Sequence, residues 1–325
     1  MKKLLCMLFV CLLSINTVLG EQTTQPFNLD DAPEAIKQLH YQAMYTIVRV
    51  TLKGGGGGSG TLIYSEDRKE KGNFLTFIIT NHHVVDGAIK VEKAWDSMLG
   101  TEIKKERRET VKVEVFRYER LSVVVGRESF DADIVAHSKD HDLAILKLRG
   151  NRNIEYIANL FPRLEVQNVY IGQNAPAVGC SLLHAPILTT GEITSLNDEI
   201  EDKQFWMSNS QIIYGSSGGA VFLKRDGELL WHWIGIPSRL NVIGWGTPIT
   251  HMGYFVPIPR IYSWLEDQHL EFFYDKTKTP EECFEKRKKL SEKARLQSVI
   301  KATTEATGTG KYVPHSEPQN MPLED

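Results

Sequence analysis

The chain is poor in cysteine, carries no surplus of either charge, and has no hydrophobic run of membrane-spanning length. Only 4 of its 325 residues are cysteines, and two of them, Cys6 and Cys11, fall near the start with no lipid-attachment context around them. The other two, Cys180 and Cys283, lie far apart in sequence and define no disulfide framework. The fold must therefore rest on its core, with Cys180 read as a small buried hydrophobe and Cys283 as a bystander. A formal net charge of −3, from 38 basic and 41 acidic residues, lacks the basic footprint of a nucleic-acid binder and points to protein or neutral partners. Metal ligation lacks support as well. His137 and His141 sit in a β-rich stretch with no third ligand at useful spacing, and no cofactor motif is present.

The apolar stretch Leu4 to Leu13 follows Lys2 and Lys3 and is interrupted by Ser14, Asn16 and Thr17. It is short for a membrane span and has the layout of a cleaved export signal over residues 1–20, with the cut before Glu21. That reading places the mature protein outside the cytoplasm, periplasmic or secreted. An uncleaved anchor is the alternative.

What the chain does have is short β-rich runs. After a polar extension over 21–40, "YTIVRVTL", "NFLTFIIT", "VKVEVFRYE" and "DLAILKL" follow one another, then "VYIGQ", "GAVFLKR", "LLWHWIGI" and "GYFVPI". Each is rich in Val and Ile and ends in Gly, Asn, Asp or charged residues. Two such groups predict an all-β protein built as two barrels or sandwiches. A helix is predicted from about Pro259, where Ile261, Trp264 and Leu265 share a face. Thr279-Pro280-Glu281-Glu282 predicts a second, capped helix, exposed and charged to about Ala302, before a disordered end.

The stretch "YGSSGGAVF" at 214–222 sets Ser216 and Ser217 among glycines ahead of an apolar strand. A serine hydroxyl is a poor nucleophile near neutral pH and needs an imidazole to take its proton, with an acid to orient that imidazole. Glycines let backbone N–H groups approach the oxyanion that forms. "FIITNHHVVDG" offers His82 and His83 at a strand end, and Asp142 opens the strand "LAIL". Asp140 and Asp133 are rivals for the acid, the first placed in a polar turn and the second facing solvent. A nucleophile elbow of the esterase type is disfavoured, because a strand rather than a helix follows Ser217.

Thr80 to Asp86, Asp142 to Leu148 and Gly215 to Gly219 occur in that order. This resembles a trypsin-like serine protease of the chymotrypsin fold, most similar to the HtrA/Deg branch, over residues 41–270. "SGTLI" at 59–63, "GEITSL" at 191–196, "WIGIPS" at 233–238 and "GYFVPI" at 253–258 add to the likeness. It implies two six-stranded antiparallel barrels side by side, the first over about 41–150 and the second over about 165–260, with a C-terminal helix and a charged tail over 271–325. It further implies His83 as general base, Asp142 as orienting acid and Ser217 as nucleophile. Gly215, Ser216 and Ser217 form the implied oxyanion loop. Ile236, Pro237 and Ser238 align with the strand that pairs with an extended substrate. Gln211 falls near the floor of the specificity pocket, where the lack of an acid argues against a Lys or Arg preference.

The chain departs from digestive relatives in placing Ser216 where they carry an acid for a newly cut N-terminus. The run Gly54–Gly58 and the long charged stretch 92–128 are unusual. The stretch after Leu270 is shorter than a PDZ domain requires. The implied activity is an exported serine endopeptidase acting on unfolded or extended segments, in which an oligomer is possible; a catalytically silent binding or chaperone scaffold is the alternative.

Overall fold

The computed structural model describes residues 32–68, 73–96, 101–150, 152–225 and 227–306. By its contacts the chain divides into Met1–Pro33 and Glu34–Asp325, and the second unit is the subject here. The expected export signal, most of the N-terminal extension and residues 307–325 of the expected disordered end lie outside the described residues, while 303–306, expected to be disordered, continue the last helix.

The first half contains strands β1 (Ile47–Thr51), β2 (Gly57–Arg68), β3 (Asn73–Thr80), β4 (Ile89–Asp96), β5 (Thr101–Arg108), β6 (Val111–Glu119), β7 (Val123–Ser138) and β8 (Leu143–Leu148). Six of them close into a barrel in the order β1-β2-β3-β8-β7-β6. Alternation fills it: Val48, Val50, Leu62, Ile78, Val113, Ala144 and Leu146 form one buried cluster. The opposite faces of β3 and β8 are buried too, since Phe77, Ile79, Leu143 and Ile145 join a larger cluster shared with the second half. Burial on both faces explains why these two strands read as continuous apolar runs. Strands β4 and β5 pair only with each other, and much of the charged stretch 92–128 is this ribbon together with β6 and the start of β7.

The second half holds β9 (Asn159–Leu160), β10 (Ala177–Gly179), β11 (Ile187–Thr189), β12 (Ile193–Ile200), β13 (Lys203–Ser208), β14 (Ala220–Lys224), β15 (Trp231–Ile243) and β16 (Thr247–Pro257). Here the expectation of a second closed barrel needs correction. The strands form an open sheet in the order β11-β10-β14-β15-β16-β13-β12, with β9 beside β15. Closure would require the chain entering β10 to pair with β12, and it does so for a single bridge, Asn174 with Glu192. Around that bridge Ala175 N–H donates to Gly191 O at 2.7 Å and Ile193 N–H to Gln173 O at 2.9 Å. The hairpin of β15 and β16 extends past the sheet and exposes Val242, Ile243 and Trp245 around its turn.

Helices α1 (Glu34–Gln42), α2 (His82–Val85), α3 (Ile258–Asp267) and α4 (Pro280–Ala306) complete the unit. In α3, Ile258, Ile261, Trp264 and Leu265 are buried in the large cluster, the face predicted from spacing. Helix α4 starts as its sequence predicts, with Thr279 N–H donating to Glu282 at 3.0 Å and Glu282 N–H to the Thr279 hydroxyl at 3.2 Å. Its first turns are not simply solvated. Cys283 is buried in the core rather than a bystander, and Arg287, also buried, donates to the carbonyls of Gln268 and Val135. Both Cys180 and Cys283 are free thiols. Among the described residues no helix is long and apolar enough to cross a membrane.

Candidate active site

Strand β3 runs apolar to Thr80 and Asn81, and the chain then turns into the short helix α2 that carries both histidines. Asn81 donates its side-chain amide to the Asp142 carbonyl at 2.9 Å, tying this turn to the start of β8. Asp142 holds a positive φ of 54° there, a conformation that Asp tolerates better than most residues. Its carboxylate accepts the backbone N–H of His83 at 3.1 Å and the ring Nδ1 of His83 at 2.9 and 3.0 Å. The Ser238 hydroxyl donates to the second oxygen at 2.6 Å. Burial opposes ionisation of Asp142, but the hydrogen bonds from His83 and Ser238 outweigh it and hold the acid below its ordinary value. With Nδ1 so engaged, Nε2 of His83 is left as a proton acceptor.

His82 has the opposite setting. Its ring is buried, stacks on His137 at 5.1 Å and contacts Asp86 at 3.1 Å through Nε2. Burial, then the neighbouring His137, pushes its pKa down. The rival acids are engaged elsewhere, Asp140 with Lys203 and Asp133 with Arg149, each at 2.6 Å.

Ser217 stands in the turn leading into β14. Gly218, at φ 85°, has no space for a side chain, since a Cβ would lie 2.0 Å from Ser59 O. Gly215, at φ 92°, is similarly hemmed in by Cys180 O at 2.6 Å. Ser216 N–H, between the two expected oxyanion donors, donates to Ile213 O at 2.9 Å and is spent within the turn. Among the described residues, the N–H groups of Gly215 and Ser217 have no backbone acceptor. The Ser216 hydroxyl is buried as well, against that of Ser181 at 2.9 Å.

His83, Ser217, Tyr214, Ile212, Ile213, Pro237, Ser238, Leu240 and Val242 line one cleft of about 300 Å³. No hydrogen bond joins His83 to Ser217 in it. Gln211, expected at the pocket floor, is exposed instead and its carbonyl accepts from Thr189 at 2.8 Å; Ile212 and Ile213 line the cleft. Ile236 is fully buried in the core and so does not face substrate. Pro237 O accepts from Gly218 N–H at 3.3 Å, and Ser238 holds the acid. The open edge begins one step later. Strand β15 pairs with β14 only as far as Gly235, whereas its pairing with β16 continues to Ile243. Residues 239–243 thus keep one side free, with Leu240 and Val242 toward the cleft.

The sequence reading missed Leu240, Val242 and the polar groups beneath the serine loop. The Ser59 hydroxyl donates to Gly215 O and accepts from Cys180 N–H, both at 2.7 Å, and Ser59 N–H donates to Ser217 O at 2.7 Å. The signal was "SGTLI", whose small polar start on an otherwise apolar strand marks a buried hydroxyl. Among the described residues no group of three His, Cys, Asp or Glu side chains is placed to hold a metal.

Residues 58–230 match the trypsin-like peptidase domain. Among solved structures, the HtrA-type protease AlgW with tripeptide is similar at 17% identity and a TM-score of 0.50, over 74% of this chain and 64% of that one. The chain thus spans less than two thirds of that structure's length. The MamO protease domain from Magnetospirillum magneticum aligns at 20% identity and a TM-score of 0.48, over 70% of this chain and 99% of that one. For Deg5 the values are 19% and 0.48, over 74% and 95%. No curated protein matches the sequence.

Proposed function

As the chain belongs to the trypsin-like peptidase domain family, we propose that it is a serine endopeptidase cutting extended protein segments through His83, Asp142 and Ser217. The observation that carries this reading is that His83, hydrogen-bonded to Asp142 at 2.9 Å, lines the same cleft as Ser217. Ser217 Oγ attacks the scissile carbonyl while Nε2 of His83 takes its proton, and the resulting imidazolium is stabilised by Asp142. The N–H groups of Gly215 and Ser217 receive the oxyanion. His83 then protonates the leaving amine, and water releases the acyl group by the same steps. The free edge of β15 pairs with the substrate backbone, and Ile212, Ile213, Leu240 and Val242 favour an apolar side chain at the cut. The layout of residues 1–20 supports export, which sequencing of the mature N-terminus at Glu21 checks.

One observation favours a second reading, a silent binding scaffold: His83 and Ser217 share no hydrogen bond. Such bonds are often long before substrate arrives, and labelling with a fluorophosphonate separates the two readings. The protease reading expects a covalent adduct on Ser217 and a loss on the order of 10⁶ in kcat for Ser217→Ala. Folded wild-type protein that never labels would establish the scaffold.

A further inference from the structure

The Ser217 loop and the His83 turn belong to different halves of the fold, and one buried side chain from the barrel reaches the loop. Ser59 on β2 is fully buried, and every polar group it has is used. Its carbonyl accepts from the Thr80 hydroxyl at 2.7 Å, three residues before His83. Its N–H holds Ser217 O, and its hydroxyl joins Cys180 N–H to Gly215 O.

The second of these links reaches further than one contact. Cys180 begins the turn Ser181–Leu183, in which Leu182 and Leu183 have φ of 51° and 60°, a region costly for such side chains. From that turn Leu182 N–H donates to Tyr214 O at 2.7 Å. The carbonyls on both sides of Gly215 are therefore fixed, Tyr214 O by the strained turn and Gly215 O by Ser59. A glycine at φ 92° has little intrinsic preference for that state. What fixes the direction of its N–H must come from these two anchors, and the Ser59 hydroxyl is common to both.

We propose that Ser59 is a positioning residue: its hydroxyl locks the Gly215 backbone and the Ser181–Leu183 turn together, so that the oxyanion donors are aimed before substrate binds. The inference rests on the protease reading for its catalytic consequence, and on geometry alone for the ordering of the loop.

The test uses the full chain with Ser59→Ala, and with Thr76→Val as a matched loss of a buried hydroxyl. Thr76 lies on β3, bonded to the Ser65 hydroxyl at 2.9 Å. A fluorophosphonate gives the maximal labelling rate and the half-saturating concentration separately. Ser59→Ala is expected to slow the maximal rate about 10- to 100-fold and to leave half-saturation within about twofold, short of the loss for deleting an oxyanion donor outright. Thr76→Val is expected to lower the melting temperature comparably with no such slowing. Amide exchange over residues 213–219, measured on the same proteins, should rise about 10-fold or more in Ser59→Ala alone. Wild-type labelling in Ser59→Ala, or slowing that tracks the melting temperature in both variants, overturns the proposal. If wild type itself does not label, the protease reading fails and exchange alone decides whether Ser59 orders the loop. Should Ser59→Ala not fold, Thr80→Val removes the donor to Ser59 O and is expected to show the same split, more weakly; its absence overturns the proposal.

Discussion

His83 and Asp142 stand on a barrel closed by six strands, whereas Ser217 stands on a sheet that runs open from β11 to β12. In the barrel, β3 and β8 are adjacent, buried on both faces and in register from Phe77 with Lys147 to Thr80 with Ala144. His83 lies three residues past the end of β3 and Asp142 one before the start of β8, so their separation is fixed by the core. On the sheet, the serine loop is held by side-chain and backbone hydrogen bonds, and the cleft wall is a strand with one free side. In the proposed protease, the barrel supplies precision and the sheet supplies an edge on which different sequences can be laid.

This contrast predicts that damage to the His83–Asp142 pair appears in kcat and damage to the free edge of β15 in KM. The largest effect in this set is expected for Asp142→Asn, which leaves the packing in place but withdraws the carboxylate that sets the His83 tautomer. A fall of about 10⁴ in kcat on peptide hydrolysis, with little change in KM, is the expected outcome. A fall below 10-fold would show that the carboxylate does not orient the base. On the other side, Leu240→Asp puts a charge beside the cleft without touching the pair. It should raise KM for apolar peptide substrates about 10-fold, kcat being held within a few-fold; an unchanged KM would remove residue 240 from the binding edge.

The smallest effect concerns two neighbours in one turn. His82 titrates below its ordinary value of 6.5, with burial the first cause and His137 the second, against the pull of Asp86 and Asp142. Below pH 6.5 the unfolded chain takes up a proton that the folded chain refuses, so stability falls as the pH drops. Glu106, which contacts His137 at 3.0 Å, adds to this at lower pH. Burial raises its pKa, but hydrogen bonds from His137 and Arg108 bring it down to about 2, so its contribution is lost only as the pH falls toward that value. Replacing His82 by Phe preserves a ring against His137 and should flatten the melting temperature between about pH 6.5 and 5. An equally steep profile in the variant would assign the acid lability to other groups.

The strand runs and the capped start of α4 were legible in the sequence, because each rests on local chemistry, alternation and a Thr–Glu reciprocal cap, whereas His83 and Asp142 were singled out from their neighbours only by the family resemblance. Gln211 and Ile236 lie elsewhere than the resemblance implied, for one shared reason. Residue types near a catalytic serine do not reveal which N–H is consumed inside the turn or which strand face is buried, and a bulge between Pro237 and Arg239 shifts the open edge by a step. The open sheet was illegible as well, since closure turns on how far one ladder runs beyond the single bridge of Asn174 with Glu192. Ser59 was quoted as part of a motif and left without a task; its role depends on contacts 121 and 156 residues away in the chain.

Arg287 reaches back from α4 to Val135 in the barrel and to Gln268 beyond α3, which has a consequence for where this protein can be cut. The stretch matched to the peptidase domain stops at 230, immediately before the strand that carries Trp233, Ile234, Ser238 and Leu240. A fragment trimmed to that boundary would expose β14 as a raw edge and lack one bank of the groove. A piece that ends before 287 would also lack this fastening between α4 and the barrel, which during synthesis can form only once that arginine has left the ribosome.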